Sequence, residues 1–114
     1  MKIKAAVIGS GIGLKHLEAI NQHGQANVKI LYEKNKLKNR KLKKLFPNIK
    51  ITNNENDIFN NKEINLVSIA SYDDFHYKQI TKCIKTKKNL IVEKPICLTI
   101  NELKEIYSLL KNTN

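Results

Sequence analysis

The sequence contains no tryptophan, and aromatic residues make up only 6% of its 114 residues. Arg40 is the single arginine, so all but one of the 21 cationic residues are lysines. Aromatic side chains form the platforms on which nucleic-acid bases stack, and arginine is preferred for bidentate contacts with bases and phosphates. Their scarcity argues against nucleic-acid binding despite a net charge of +11. We interpret the lysine excess as a solvated surface; a lysine-rich polyanion-binding domain, with a steep salt dependence, is the alternative.

Long hydrophobic runs and closely spaced cysteines are also missing. No segment approaches the roughly 20 apolar residues of a membrane span. The apolar stretch Ala5–Ile8, which follows two lysines, is too short for a signal peptide. Cys83 and Cys97 show neither a CxxC pattern nor another close metal-binding spacing. Two such cysteines in a chain without a recognisable secretion signal predict packed, reduced thiols, a cytoplasmic location and no bound metal.

The residues that are present suit one globular domain spanning 1–114. The hydrophobic fraction of 41% and the charged fraction of 27% are ordinary for a folded domain. A chain of this length buries roughly two-thirds of its unfolded surface. Short apolar runs alternate with segments of helical periodicity, which predicts βαβ units. We therefore predict an α/β fold with a doubly wound parallel sheet of about five strands, in the order 3-2-1-4-5.

The predicted strands cover residues 3–8, 28–32, 49–51, 66–70 and 89–92. The predicted helices cover residues 12–23, 36–46 and 74–86, with one helical turn within 53–61 and a last helix after Thr99. The helix over 74–86 is expected to bury Tyr77, Ile80, Cys83 and Ile84.

The last helix has the clearest local signal. Thr99 and Glu102 have the spacing of a capping box, in which each side chain satisfies a backbone N–H at the start of the helix. An apolar stripe follows at helical spacing, formed by Leu103, Ile106, Tyr107 and Leu110.

A glycine-rich turn, Gly9-Ser10-Gly11-Ile12-Gly13, directly follows the first strand and opens a helix. The unpaired N–H groups and the macrodipole of a helix N-terminus attract a diphosphate, and glycine lets the backbone approach it. We therefore predict that these five residues bind a dinucleotide. A tight turn that binds nothing is the alternative. The third glycine comes one residue earlier than in the usual GxGxxG pattern, which predicts a shorter loop.

An acidic residue ends the second strand. Glu33 lies 20 residues past Gly13, where a carboxylate that binds the adenosine ribose is expected. A carboxylate there accepts both ribose hydroxyls and repels a 2′-phosphate, so NAD is predicted as the cofactor. Lys34 and Lys36 soften this preference, which keeps NADP as the second candidate. An exposed acid at a strand end is the alternative for Glu33.

Two further segments follow the fourth and fifth strands, at the edge where the nicotinamide end of a dinucleotide would lie. The first is Ser71-Tyr72-Asp73-Asp74-Phe75-His76, and the second is Glu93-Lys94-Pro95. The Lys94 ammonium would emerge at this edge, where it could hydrogen-bond a substrate hydroxyl and assist its proton transfer. An ordinary surface lysine is the alternative for Lys94.

Taken in order, these motifs resemble one known family. They are Val7-Ile8-Gly9-Ser10-Gly11, His16-Leu17, the segment from Ser71 to His76, and Glu93-Lys94-Pro95 with Thr99 and Glu102 after it. The chain is similar, over essentially its whole length, to the N-terminal NAD(P)-binding Rossmann domain of the glucose–fructose oxidoreductase and inositol dehydrogenase family (Gfo/Idh/MocA). The resemblance implies hydride transfer between a nicotinamide cofactor and a sugar, a cyclitol or a sugar nucleotide.

The resemblance also implies roles for single residues. Lys94 would be the catalytic residue that contacts the substrate beside the nicotinamide, and Glu93 would help to position it. The family's T-P-N-x-x-H segment corresponds to Ser71 through His76, which places this segment near the nicotinamide ribose as part of the cofactor site.

Two positions of that segment depart from the family pattern. Tyr72 stands where proline is usual, and Asp73 stands where asparagine is usual. Asp73 could instead cap the following helix, and His76 could be a packing or hydrogen-bonding histidine; both alternatives stay open.

Members of the family resemble one another in having a second α/β domain that carries the substrate pocket. This sequence has no counterpart to that domain or to the usual sixth strand, so we expect a fragment or a truncated product. We expect the chain to bind NAD(H), to turn over little, to act on a small polyol or sugar only with a second domain, and to self-associate through an exposed apolar patch. The alternative is a non-catalytic nucleotide-binding remnant or subunit that works with a separate substrate domain.

Overall fold

The computed structural model describes residues 2–113; the two ends of the predicted domain, residues 1 and 114, lie outside the described residues. Within this range the strands are β1 (Ile3–Ile8), β2 (Ala26–Tyr32), β3 (Lys50–Thr52), β4 (Leu66–Ile69) and β5 (Asn89–Val92). The predicted strands are confirmed, with ends that differ by two residues or fewer.

The helices alternate with the strands along the chain. They are α1 (Gly13–Gln22), α2 (Lys36–Leu45), α3 (Asn56–Phe59), α4 (His76–Lys85) and α5 (Ile100–Lys111). The helix predicted from residue 74 begins later, because a 3₁₀ turn at Asp73–Phe75 leads into α4.

The strands form one parallel sheet in the order β3-β2-β1-β4-β5, which confirms the predicted doubly wound topology. On the central strand β1, Ala6 and Ile8 pack with buried residues of α3, α4 and α5. Ala5 and Val7 point the other way and pack with one buried leucine each from α1 and α2. Because both faces of β1 are covered, its end is a continuous apolar run rather than an alternating one.

The predicted capping box at the start of α5 is present. The Thr99 hydroxyl accepts a hydrogen bond from the Glu102 amide at 3.1 Å. The Glu102 carboxylate in turn accepts from the amide of Leu98 at 3.0 Å. These two bonds satisfy backbone N–H groups that the helix cannot pair internally, and so they fix where α5 begins.

The apolar stripe of α5 is only partly buried. Ile106 packs into the core, whereas Leu103, Tyr107 and Leu110 are each at least 49% exposed. We call these three residues the outer face of α5. On α4, Ile80, Cys83 and Ile84 are buried as predicted, but Tyr77 is only half-buried, at the margin of the core cluster.

No helix within residues 2–113 is long and apolar enough to span a bilayer.

The two cysteines differ in burial, and this difference predicts their reactivity. Cys83 is fully buried, and burial raises the pKa of its thiol to about 12, whereas Cys97 is partly exposed. Since only the thiolate reacts with maleimides, we expect one labelled thiol per native chain at pH 8 and two in denaturant. Mass spectrometry after a short maleimide pulse measures this, and Cys97→Ser should abolish native labelling. Rapid labelling of the folded Cys97→Ser chain would contradict the packing of Cys83.

Candidate functional site

The parallel register aligns the last residues of β1, β2, β4 and β5 with one another. The residues that follow them, Gly9, Glu33, Ala70 and Glu93, extend the ladder by one step. Their amides donate to the last carbonyls of β2, β3, β1 and β4 respectively, at 2.8–2.9 Å. The glycine turn, the predicted ribose-binding acid and both later segments therefore emerge side by side at the carboxyl edge of the sheet.

The three glycines of the turn meet different constraints. Gly9 has a φ of 102°, and a Cβ on it would lie 2.6 Å from the carbonyl oxygen of Ala70. A Cβ on Gly13 would lie 3.1 Å from a methyl carbon of Val7, so Gly13 lets α1 pack closely on β1. A Cβ on Gly11 would have no neighbour within 4 Å. Gly13 thus takes the helix-packing position of the third glycine in the usual pattern, in a loop one residue shorter.

The turn leaves backbone donors free for a ligand. The amides of Gly11, Ile12 and Gly13 donate to no group in the part of the chain that the structure describes. They lie at the N-terminus of α1, where the helix dipole adds positive potential. Together with the open space at Gly11, these donors fit the diphosphate of a dinucleotide.

Glu33 is held in place by its neighbours. One carboxylate oxygen accepts from the Ser10 hydroxyl and, at 3.3 Å, from the Ser10 amide; the other accepts from the Asn35 amide at 2.8 Å. Burial alone would raise the pKa of Glu33, but these hydrogen bonds and the nearby charge of Lys38 together outweigh burial and hold the pKa below its ordinary value. The side chain is therefore ionised at neutral pH, as an acceptor of ribose hydroxyls must be.

A cleft of about 380 Å³ opens at this edge, within the range of small-molecule sites. The predicted residues that line it are Gly9, Ser10, Gly11, Ile12, Glu33, Ser71, Tyr72 and Asp73. The lining residues that the cofactor prediction did not include are Tyr32, Lys34, Lys38, Glu55, Ala70, Phe75 and Gln79. Phe75 falls inside the motif that begins at Ser71, and Lys34 follows Glu33, but no sequence signal marks Glu55 or Gln79.

A chain of hydrogen bonds supports the side of the cleft that Ser71 lines. The Ser71 hydroxyl donates to Gln79 Oε1 at 2.5 Å, and Gln79 Nε2 donates to Glu55 Oε2 at 2.9 Å. At the mouth, Lys34 Nζ lies 5.1 Å from the centre of the Phe75 ring, a cation–π contact. Both polar atoms of the Gln79 side-chain amide therefore have a partner within the described residues.

Four predicted site residues lie outside the cleft. Gly13 packs against β1, and His76 is fully buried behind the loop. The alternative of a hydrogen-bonding histidine holds for His76, since both of its ring nitrogens contact backbone carbonyls. Glu93 and Lys94 follow β5, where Glu93 contacts His16 at 2.9 Å and Lys94 is exposed.

Asp73 does not cap a helix. The 3₁₀ turn and α4 both begin without a side-chain cap. Asp73 lines the cleft instead. Among residues 2–113, no group of three or more His, Cys, Asp or Glu side chains is arranged to hold a metal ion.

Free amides at a glycine turn, an ionised acid at the end of β2 and a cleft between them define a dinucleotide-binding α/β domain. The chain belongs to the oxidoreductase family with an NAD-binding Rossmann fold (Gfo/Idh/MocA), whose sequence profile matches residues 3–114. The resemblance seen in the sequence is thereby confirmed.

Named relatives agree with this assignment. An uncharacterized oxidoreductase of Synechocystis is 31% identical over 108 residues, which are 94% of this chain and 29% of that protein. Inositol 2-dehydrogenase 2 of Paenarthrobacter aurescens is 26% identical over 108 residues, which are 93% of this chain and 32% of that protein. The chain thus spans about a third of the length of these relatives.

Solved structures share the fold. GenD2 from gentamicin A biosynthesis, in complex with NAD, superimposes with a TM-score of 0.88 at 17% identity, over 97% of this chain and 32% of that one. Apo scyllo-inositol dehydrogenase from Lactobacillus casei gives a TM-score of 0.87 at 23% identity, over 97% of this chain and 34% of that one. The predicted Rossmann-type fold is confirmed.

The contact between Gly9 and Ala70 predicts a large effect of one methyl group. Gly9→Ala would force a Cβ against a backbone oxygen at positive φ, so we expect a loss of roughly 2 kcal/mol or more in the free energy of unfolding. Gly24→Ala is the matched control, since a Cβ there meets nothing within 4 Å, and it should change stability by no more than about 0.5 kcal/mol. Urea denaturation followed by circular dichroism compares them; equal midpoints would contradict the tight turn.

Proposed function

We propose that this domain holds the cofactor of an NAD-dependent oxidoreductase that transfers a hydride between the nicotinamide and a carbon of a sugar, cyclitol or sugar nucleotide. The observation that carries the proposal is the shared edge, where the free amides of the turn, Glu33 and the Lys94 corner all emerge. The similarity to inositol 2-dehydrogenase 2 supports a polyol substrate.

The residues of the turn would hold the nucleotide. The amides of Gly11 and Ile12 bind the diphosphate, with the helix dipole of α1 behind them. Glu33 accepts a ribose hydroxyl. Three hydrogen bonds already reach this carboxylate, which has about four acceptor sites, so the ribose takes the open site and competes with the Ser10 hydroxyl.

The segments that follow β4 and β5 would contact the nicotinamide end of the cofactor and the substrate. Bound NAD supplies the hydride chemistry, and the protein contributes orientation and electrostatics. Ser71, Tyr72 and Asp73 line the cleft between the turn and the Lys94 corner and would contact the nicotinamide ribose. The exposed Lys94 ammonium binds the substrate hydroxyl and helps to move its proton.

The substrate pocket would come from a second domain. The relatives are about three times as long as the part that matches this chain. The outer face of α5 presents apolar side chains, each at least 49% exposed, that a second domain could cover. Without that domain, a second copy of the chain would cover the same face, as self-association.

We place the protein in the cytoplasm because both cysteines are free thiols.

Binding of NADH by the turn is separable from folding. We expect saturable binding of NADH to the purified chain, measured by calorimetry or fluorescence, and little turnover of polyols. Gly11→Ala places a methyl group in the open space before the free amides, so Kd should rise about tenfold or more while the unfolding midpoint stays unchanged. Gly24→Ala should leave Kd unchanged. Absence of saturable binding up to millimolar NADH by a folded chain would refute the proposal.

The charge of Glu33 should set the preference between cofactors. A carboxylate at the ribose repels a 2′-phosphate, while Lys34 and Lys38 nearby attract it. We expect the wild-type chain to bind NADH more tightly than NADPH. Glu33→Gln should narrow the ratio of the two Kd values by about tenfold, or ~1.4 kcal/mol. Parallel titrations measure the ratio, with Glu63→Gln on the distant amino edge of the sheet as the control. An unchanged ratio would contradict the assignment of Glu33 to the ribose.

A further inference from the structure

The cleft contains residues to which the proposed function assigns no part. The turn would bind the diphosphate and Glu33 the adenosine ribose, which leaves the adenine base without a partner. Tyr32 at the end of β2, Glu55 at the start of α3 and Phe75 before α4 also line the cleft. Three separate elements thus supply side chains that a bound base could contact.

These side chains lie beside Glu33. Burial and the negative charges of Glu55 and Glu33 raise the pKa of Tyr32, so both carboxylates lie near the Tyr32 hydroxyl. Lys34, the next residue after Glu33, holds its ammonium 5.1 Å from the centre of the Phe75 ring. A base joined to a ribose on Glu33 would therefore lie within reach of Glu55 and Phe75.

Local hydrogen bonds fix the backbone on both sides of Glu55. The Asn54 amide donates to the Thr52 hydroxyl at 3.0 Å, and the Asn56 amide donates to the Asn54 side chain at 3.0 Å. The carbonyl oxygen of Glu55 accepts from the Ile58 amide at 2.9 Å. The loop itself therefore determines the point from which the Glu55 side chain extends.

The Glu55 carboxylate is oriented but not saturated. Its Oε2 accepts from Gln79 Nε2 at 2.9 Å, and its Oε1 lies 3.6 Å from the ammonium of Lys82. Within residues 2–113, Gln79 is the only donor of a hydrogen bond to this carboxylate. Because a carboxylate has about four acceptor sites and this side chain is 26% exposed, acceptor sites remain for an N–H of a ligand.

Adenine offers the groups that these side chains can recognise. Its exocyclic amino group donates hydrogen bonds, whereas a carboxylate only accepts them. A base that carries a carbonyl oxygen at the same ring position would place an acceptor against an acceptor. The half-buried Phe75 ring can stack on the face of any base, and stacking would displace only the exposed ammonium of Lys34.

We propose that Glu55 and Phe75 form the subsite for the base of the dinucleotide. The Glu55 carboxylate accepts a hydrogen bond from the amino group of adenine, and the Phe75 ring stacks on the base. Glu55 is thus a specificity-determining residue for the base, whereas Phe75 contributes affinity that does not depend on which base is bound. The subsite rests on the proposed function, since the ribose on Glu33 determines where the base lies.

Selectivity for the base is measured with deamino-NADH, in which hypoxanthine replaces adenine. We expect calorimetry on the purified chain to give a Kd for deamino-NADH about tenfold or more above that for NADH, because a carbonyl oxygen would face the Glu55 carboxylate. Equal Kd values would overturn the subsite and leave the proposed function standing. Absence of binding by both dinucleotides would refute the proposed function, and the subsite with it.

Glu55→Gln should narrow this selectivity. The glutamine amide can donate to the carbonyl oxygen of hypoxanthine or accept from the amino group of adenine, so the ratio of the two Kd values should fall about tenfold. Both values come from one variant, so a general loss of stability cancels in the ratio. The exposed Glu63 gives the matched control, and Glu63→Gln should keep the wild-type ratio. A wild-type ratio in Glu55→Gln would overturn the assignment of Glu55.

Phe75→Leu tests stacking separately from selectivity. Leucine keeps an apolar side chain but has no aromatic face, so both Kd values should rise about fivefold or more while their ratio stays at the wild-type value. Circular dichroism checks that the variant is folded. Unchanged Kd values for both dinucleotides would overturn the stacking contact of Phe75.

Discussion

Four hydrogen bonds extend the ladder of the sheet one residue beyond the strands, and they determine where the residues of the candidate site lie. Each joins the first residue after one strand to the last carbonyl of its neighbour, at 2.8–2.9 Å. A parallel sheet is the arrangement that makes this row useful, because all its strands end at one edge. The glycine turn, Glu33 and the Lys94 corner begin at positions 9, 33 and 93 of the chain, yet the register brings them out together. A slip of one residue would turn every one of these side chains to the opposite face.

The two halves of the site differ in the groups that they offer to a ligand: backbone amides in one half and side chains in the other. On the side of the turn, the ligand would contact backbone amides and the positive end of a helix dipole. Glycine is important there because it has no side chain to keep the ligand away from these amides. On the side of Lys94, the groups are side chains whose positions depend on other side chains. His16 and His76 reach the corner from opposite faces of the sheet, and Gln79 supports the loop between the two halves. The first half is thus built into the local fold, whereas the second depends on packing between distant helices.

Features that depend on residues close together in the chain were predicted correctly from the sequence, whereas features that depend on packing between distant elements were not. The strand over 89–92 and the capping box at Thr99 were predictable because each depends on residues within a few positions of one another. The burial of Tyr77 and of the α5 stripe was not, because exposure depends on what lies over a helix and not on its own periodicity. The pairing of Gln79 with Glu55 joins residues 24 positions apart, and neither belongs to a recognisable motif.

The amino-acid sequence by itself determined the order of helices and strands, the glycine turn and the acid 20 residues beyond it, because periodicity, steric freedom and capping act over short distances. It also determined the family, through motifs that stay in chain order. Only the tertiary structure decided that Gly13 serves packing and that His76 lies behind the cleft and not in it. It also decided that the ring of His16 reaches a carboxylate 77 positions away. These outcomes depend on which groups the folded chain brings within about 3 Å, a distance over which hydrogen bonds act and which sequence spacing does not encode.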